Sequence, residues 1–158
     1  MKQRIYLDTS VISFLKAEDS PEKMHDTVLL WDDIKNNTYD VIISDLTIKE
    51  IEQYPEPKRT YMLNELRKIE MTVVQIENDV DELSKDFIDA GILKEKSFDD
   101  CRHIATAIMA QCDIIISWNF KHIVNDKTID GIKRITNIKN LPEIKIYCPS
   151  MLIGGADE

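Results

Sequence analysis

Ile5-Tyr6-Leu7-Asp8-Thr9-Ser10 is a short apolar run that stops on a carboxylate and two hydroxyls. Its length and residue types read as a strand, and its polar end as the point where the strand gives way to something else. Four more runs share its strand-length, β-branched character: Asp40 to Ser44, Met71 to Ile76, Asp113 to Ser117, and Ile144 to Tyr147. With Arg4 to Leu7 they make five predicted strands. The segments between them have helical spacing, and that alternation predicts an α/β domain with a largely parallel sheet.

A helix is expected directly after Asp8, burying Val11, Ile12, Phe14 and Leu15. Ser20-Pro21 opens the next, with Met24, Val28, Trp31 and Ile34 on one stripe and Asn36-Asn37 at its end. Asp45 to Tyr54 reads as a short helix closed by Pro55 and Pro57, and Pro57 to Ile69 as another, carrying Met62, Leu66 and Ile69. Asn78 reads as a cap before Val80, Leu83 and Phe87, with Gly91 as the stop. Ser97-Phe98-Asp99-Asp100 opens a further helix whose apolar face includes Ile104, Ala105, Ile108 and Met109. Residues 1–150 are read as a single domain and 151–158 as a C-terminal tail, with Gly154 to Glu158 expected to be disordered.

A chain of 158 residues, 43% hydrophobic and 31% charged, has the size and balance of one globular domain. No run approaches the roughly 20 apolar residues of a membrane span, and the first apolar run is too brief for a signal-peptide core, so a soluble cytoplasmic protein is expected. Cys101, Cys112 and Cys148 are odd in number and lack paired metal spacing, which reads as buried thiols in a reducing compartment. The net charge of -9 argues against a generic nucleic-acid coat, although an acidic metal site can still meet phosphates through a cation. Charge is uneven: Glu77 to Asp100 is dominated by carboxylates, whereas Lys121, Lys127, Lys133, Arg134, Lys139 and Lys145 make the better region for a docking polyanion.

Ligands in open parallel sheets sit beyond the carboxyl ends of strands, where Asp8 falls. Taken alone, Asp8 is equally a helix cap after a strand. Glu50 reads either as a solvated helix charge or as a site residue. Asp100 is either the far end of a Ser97-x-x-Asp100 capping box or a functional acid, with Asp99 beside it as an equal candidate. Asn119 follows the strand that ends at Ser117 and offers an oxygen ligand without charge. His103 and His122 have no Cys or His partner at zinc spacing and read as hydrogen-bonding or phosphate-side residues. Carboxylates gathered in one cleft raise one another's pKa unless a cation compensates, and a hard divalent ion is the simplest compensation.

Four motifs, in order, resemble the PIN domain and in particular VapC-like toxin ribonucleases. They are Tyr6-Leu7-Asp8-Thr9-Ser10-Val11-Ile12, Ser44-x-Leu46-x-x-x-Glu50, Asp100-x-x-His103-Ile104-Ala105-x-Ala107, and Ser117-Trp118-Asn119-Phe120-Lys121-His122. The resemblance implies a three-layer domain with a five-stranded parallel sheet in order 3-2-1-4-5, flanked by helices, and RNA hydrolysis with Mg2+ or Mn2+. Asp8, Glu50 and Asp100 fall on the family's acidic positions and Ser117 on its Ser or Thr, while Asn119 stands where many members carry another Asp. The mechanism this implies has Asp8 and Asp100, with Asn119, holding the metal while Glu50 orients or deprotonates the attacking water. Ser10 and Ser117 support the carboxylates, and Lys121 or His122 lies near the scissile phosphate. It further implies a small antitoxin partner, with the apolar helices around Met24 to Ile34 and Tyr61 to Ile69 offered either to that partner, to a homodimer, or simply to the core. Two other readings compete. One is a PIN-like scaffold without turnover. The other is a phosphatase of the haloacid dehalogenase type, a class that wants Asp-x-Asp where this chain has Ser10.

Overall fold

The structure is a computed structural model that describes residues 2–153. Five strands form one sheet, β1 Arg4–Leu7, β2 Asp40–Ser44, β3 Thr72–Val74, β4 Ile114–Ile116 and β5 Lys145–Tyr147. They lie in the order β3-β2-β1-β4-β5 with every pairing parallel, as expected. Eight α-helices connect or follow them: α1 Thr9–Ser13, α2 Pro21–Lys35, α3 Asp45–Glu52, α4 Lys58–Leu66, α5 Asn78–Asp89, α6 Phe98–Met109, α7 Asp126–Lys139 and α8 Pro149–Ile153.

Register explains the two layers of helix. Ile5 aligns with Val41 and Ile114, and Tyr6 with Ile42 and Ile115, so side chains level with one another point to the same face. On one face Tyr6, Ile42, Ile115 and Ile146 pack with Val80 and Phe87 of α5, Ile104 and Ile108 of α6, and Ile132 of α7. On the other, Ile5, Leu7, Ile43, Ile114 and Ile116 meet Val11 and Ile12 of α1, Trp31 and Ile34 of α2, and Met62 and Leu66 of α4. A strand buried on both faces has no polar side to show, which is why β4 is three consecutive isoleucines. Strand order reverses between β1 and β4, and Asp8 stands just past the carboxyl end of β1 at that reversal.

Several expectations are corrected. The predicted Met71 to Ile76 strand is only Thr72–Val74, an outer strand with Val73 exposed. Val28 is 40% exposed, because α2 centres its buried face on Thr27 with Leu30, Trp31 and Ile34. Thr27 sits inside because its hydroxyl donates to the Lys23 carbonyl at 2.6 Å and accepts the Trp118 indole N–H at 2.8 Å. One residue further turns the helix by about 100°, which carries Val28 off that face. Met109, at the end of α6, is likewise exposed. Ser97 makes no capping-box bond, because a 3-10 turn, Glu95–Ser97, feeds straight into α6 and denies it the extended backbone of a cap. Asn78 is the first residue of α5, with Glu77 in the capping position.

Other expected boundaries hold. Gly91 follows α5 at φ +76, the left-handed conformation that stops a helix there. Helix α7 was not anticipated. The short helix α8 spans the position where the sequence reading starts its tail and is tied to α2 by the Ser150 hydroxyl donating to Asp26. The tail expected at Gly154 to Glu158 lies outside the described residues. No helix among the described residues is long and apolar enough to cross a membrane.

Candidate active site

Asp8 reaches the end of β1 with its own N–H bonded to the Ile116 carbonyl, 3.2 Å away on β4. Asp8 is 4% exposed, and its carboxylate caps α1, with Oδ1 accepting from the Ser10 N–H at 3.0 Å. The cap and the site residue are therefore the same carboxylate. Two hydroxyls complete its hold: Ser10 Oγ donates to Oδ1 at 2.5 Å and Ser117 Oγ to Oδ2 at 2.6 Å. The direction of these bonds is fixed by their neighbours. Ser10 Oγ accepts the Trp118 N–H at 2.8 Å and Ser117 Oγ the Asn119 N–H at 2.9 Å, so each hydroxyl hydrogen is free for Asp8.

Glu50 comes from α3, which Ser44 starts by accepting the Thr47 N–H. Its Oε1 takes two donors, Thr9 Oγ1 and His103 Nε2, the latter at 2.7 Å. No protein donor reaches Oε2 among the described residues. His103 is buried in α6, and its Nδ1 lies 2.6 Å from the Tyr6 hydroxyl, itself 2.8 Å from Ser44 Oγ. A continuous polar chain thus runs from the end of β2 through β1 and α6 to Glu50.

Asp100 lies in the first turn of α6, with Oδ1 3.3 Å from Asn119 Nδ2. The His122 N–H can only donate, so at 2.9 Å it claims the Asn119 oxygen and turns the amide nitrogen toward Asp100. Asn119 presents a donor here, and the oxygen offered by the sequence reading is already engaged. Asp99 is exposed and paired with Arg102 at 3.1 Å, on the side of α6 that borders a different pocket.

Asp8, Glu50, Asp100 and Asn119 line one pocket of about 500 Å³ with Thr9, Ser10, Gln53, Tyr54, Pro55 and His103. Ser117 is fully buried beneath it, and Lys121 and His122 line a neighbouring cleft instead. Burial pushes Asp8 above the usual carboxylate range, despite the His103 charge and the Ser10 and Ser117 hydroxyls that work the other way. Burial also raises Asp100, against the influence of His122 and His103. For Glu50, burial is outweighed by the His103 and Thr9 donors, and its pKa falls. His103 loses solvation too, but the Glu50 carboxylate bound to it, with Asp8 and Asp100 nearby, raises its pKa. Tyr6 is pushed well above the ordinary phenol range by burial.

Among the described residues no three His, Cys, Asp or Glu side chains form a ready-made metal cage. The donor set nonetheless fits a hard divalent ion. Asp8 and Asp100 are both raised by burial, no lysine or arginine lines the pocket, and oxygen is its predominant donor. Magnesium is typically held by one or two carboxylates plus waters and substrate phosphate, which two carboxylates in an open pocket can supply.

Thr9 and Tyr6 were missed as site residues, and His103, read as a hydrogen-bonding or phosphate-side residue, was not given Glu50 as its partner. The signal available was the i+3 spacing of Asp100 and His103, which places both on one side of α6.

The PIN domain family model matches residues 4–121 of this chain. The Mycobacterium tuberculosis toxin VapC20, titled as cleaving the sarcin-ricin loop, is similar in structure, with a TM-score of 0.55 and 17% identity. That match covers 70% of this chain and 86% of the toxin. VapBC2 from Rickettsia felis, solved on a DNA fragment from its promoter, matches with a TM-score of 0.56 and 13% identity over 92% of this chain and 98% of its own. No curated protein sequence matches.

Proposed function

The chain belongs to the PIN domain family, and from that premise we propose that it is a divalent-metal-dependent endoribonuclease hydrolysing RNA phosphodiester bonds, acting in the cytoplasm as the toxin of a toxin-antitoxin pair. The observation that carries this reading is the convergence of Asp8, Glu50 and Asp100, from three separate elements, on one pocket without a lysine or arginine.

Asp8 and Asp100 would hold Mg2+ or Mn2+, which supplies a Lewis acid that activates water and offsets charge on the phosphate. The remaining work falls to the chain's own groups. Ser10 and Ser117 lock the Asp8 carboxylate in one orientation. Thr9 and His103 hold Glu50 by Oε1, which leaves Oε2 to accept a hydrogen bond from the attacking water. A carboxylate with a lowered pKa is a weak base, so Glu50 acts mainly by orienting that water. The Asn119 amide steadies Asp100.

The test is cleavage of single-stranded RNA with Mg2+ or Mn2+, against EDTA and against Asp8→Asn. Cleavage that survives either control removes the assignment.

A scaffold without turnover is the second reading, and Asn119 favours it by placing an amide donor where an acid would strengthen metal binding. Calorimetry separates the two: no Mg2+ or Mn2+ affinity supports the scaffold. The phosphatase reading gains nothing, because the third position of its motif is Ser10, whose hydroxyl is spent on Asp8. An antitoxin or a second copy of the chain would meet apolar surface, and α2 offers the exposed pair Val28 and Leu29.

A further inference from the structure

Beside the acidic pocket lies a cleft of about 240 Å³ lined by Lys94, Lys96, Lys121, Lys127 and His122, together with Ile92, Leu93, Ser97, Asn125 and Thr128. Among the described residues no carboxylate lines it. In a chain of net charge -9, four lysines meet there, and none of them is in an ion pair among the described residues. Among the described residues some basic groups elsewhere pair with acids, as Lys139 does with Asp86 and Lys68 with Glu65, while others such as Lys85 and Arg134 do not; what sets the cleft apart is four lysines in one lining. A cleft lined by one sign of charge focuses a positive potential that draws in an anionic ligand.

The cleft adjoins the candidate active site. His122 lies close enough to Asp100 to oppose the rise in its pKa, and its N–H is held by Asn119, which lines the acidic pocket. Its lysines come from two stretches that the sequence separates. Lys121 and Lys127 belong to the basic segment, whereas Lys94 and Lys96 come from the far end of the acidic one. Folding also divides the basic segment. Lys133 and Lys145 line another pocket with Asp113 and Glu143, and Asp113 and Lys145 stand at the amino-terminal ends of β4 and β5.

We propose that the Lys94, Lys96, Lys121 and Lys127 cleft holds the backbone phosphates of the RNA strand on one side of the scissile bond. This rests on the ribonuclease reading. Phosphate is favoured over an acidic protein segment because the cleft adjoins the pocket of the proposed cleavage, so a strand lying across that pocket carries its flanking phosphates to these lysines. Lysine ammonium groups meet phosphates as point charges, a contact that does not depend on base sequence.

The test is fluorescence anisotropy with a 5′-fluorescein single-stranded RNA of 12 nucleotides in EDTA, where no metal-dependent cleavage intervenes. The triple variant Lys94→Gln, Lys96→Gln, Lys127→Gln is expected to bind about tenfold or more weakly at physiological salt. Its log Kd against log salt slope should fall by about two, the value for three lost phosphate contacts on a single strand. Arginine at the same three positions should retain binding. The control Lys133→Gln, Arg134→Gln, Lys145→Gln makes the same change in net charge and should bind within about twofold of the parent.

Parental affinity and slope in the glutamine variant would overturn the proposal, as would an equal loss in the control. A variant that loses only a hexaglutamate peptide, and not RNA, would overturn it in favour of a protein segment. If the parent cleaves no RNA with Mg2+ or Mn2+ while the glutamine variant still loses binding in EDTA, the cleft stands and the hydrolysis does not.

Discussion

The Nε2 of His103 lies 2.7 Å from Oε1 of Glu50, a bond between residues 53 apart in sequence that joins the first helix after β2 to the helix before β4. It holds Glu50 ionised and fixed, and it leaves a buried imidazole dependent on a carboxylate for its charge. His103→Gln removes the charge while keeping a polar side chain. Its kcat on RNA should fall about 100-fold, the scale on which loss of position in a reacting group is felt. KM should stay near the parent value. Because Glu50 loses the donor that lowers its pKa, the acid limb of the pH-rate profile should move to higher pH. An unmoved limb would make His103 merely structural.

The same network predicts how stability responds to pH. Asp8 and Asp100 have raised pKa values when folded, so their contribution is most favourable when protonated and declines as pH rises through those values. His103 is raised too, so its contribution is present below about pH 6.5 and is lost as pH rises through its folded pKa. Glu50 is lowered and acts the other way, with stability lost as pH falls below about 4.3. Without divalent metal, Tm should therefore increase by a few degrees between about pH 8 and pH 5.5 and then fall below about pH 4. A Tm that drops steadily from pH 8 to 5.5 would contradict the burial of these groups.

Asp8→Asn should separate stability from function. The substitution removes a desolvated charge but keeps an oxygen for Ser10 or Ser117, so at pH 7 without metal the variant should be at least as stable as the parent. Mg2+ at about 100 times its Kd should stabilise the parent by about 2.7 kcal/mol and the variant far less. Differential scanning calorimetry with EDTA and with Mg2+ measures both. Equal stabilisation of the two proteins would place the ion elsewhere.

Much of this was legible before folding. The five strands could be read because runs such as Ile114-Ile115-Ile116 must be buried on both faces, and Asp8 because it ends one of them. Helix α7 was not, because Thr128, Gly131, Thr136 and Asn137 are poor helix formers that dilute the Ile129, Ile132 and Ile135 spacing. In the site, residue identities could be read but directions could not. Which end of Asn119 meets Asp100 depends on the His122 N–H in its own turn, and the partner of His103 depends on where α3 lies against α6. The basic segment was readable as composition, but only the fold shows that Lys121 and Lys127 join Lys94 and Lys96.

All three cysteines are free and buried, and burial pushes the Cys101 and Cys112 thiols up to about 12. Thiolate is the reactive form, so neither should react with a disulfide reagent at pH 8 while the chain is folded. All three should titrate in denaturant. Rapid labelling of the folded protein at Cys101 would mean that α6 opens locally, and the candidate site with it.

Gly131, in the middle of α7, tests how tightly that helix is held. A Cβ built there falls 2.7 Å from Cγ1 of Ile92, with Cδ1 and Cγ2 of the same side chain at 3.0 and 3.1 Å. Ile92 is itself buried, so it cannot swing away freely. Alanine would ordinarily favour a helix by about 1 kcal/mol over glycine, but overpacking of a close core costs about 1–3 kcal/mol. Gly131→Ala should therefore destabilise the parent in urea unfolding. Ile92→Ala alone should cost about 2–5 kcal/mol through the cavity it leaves. In that background the clash is gone and only the helix preference remains, so Gly131→Ala should become stabilising by about 0.5–1 kcal/mol. A reversal of sign across this double-mutant cycle would show that the two residues oppose each other directly. Purely additive effects would mean that α7 docks less closely than the geometry requires, and the lysine cleft lined by Ile92 and Thr128 would lose its rigid wall.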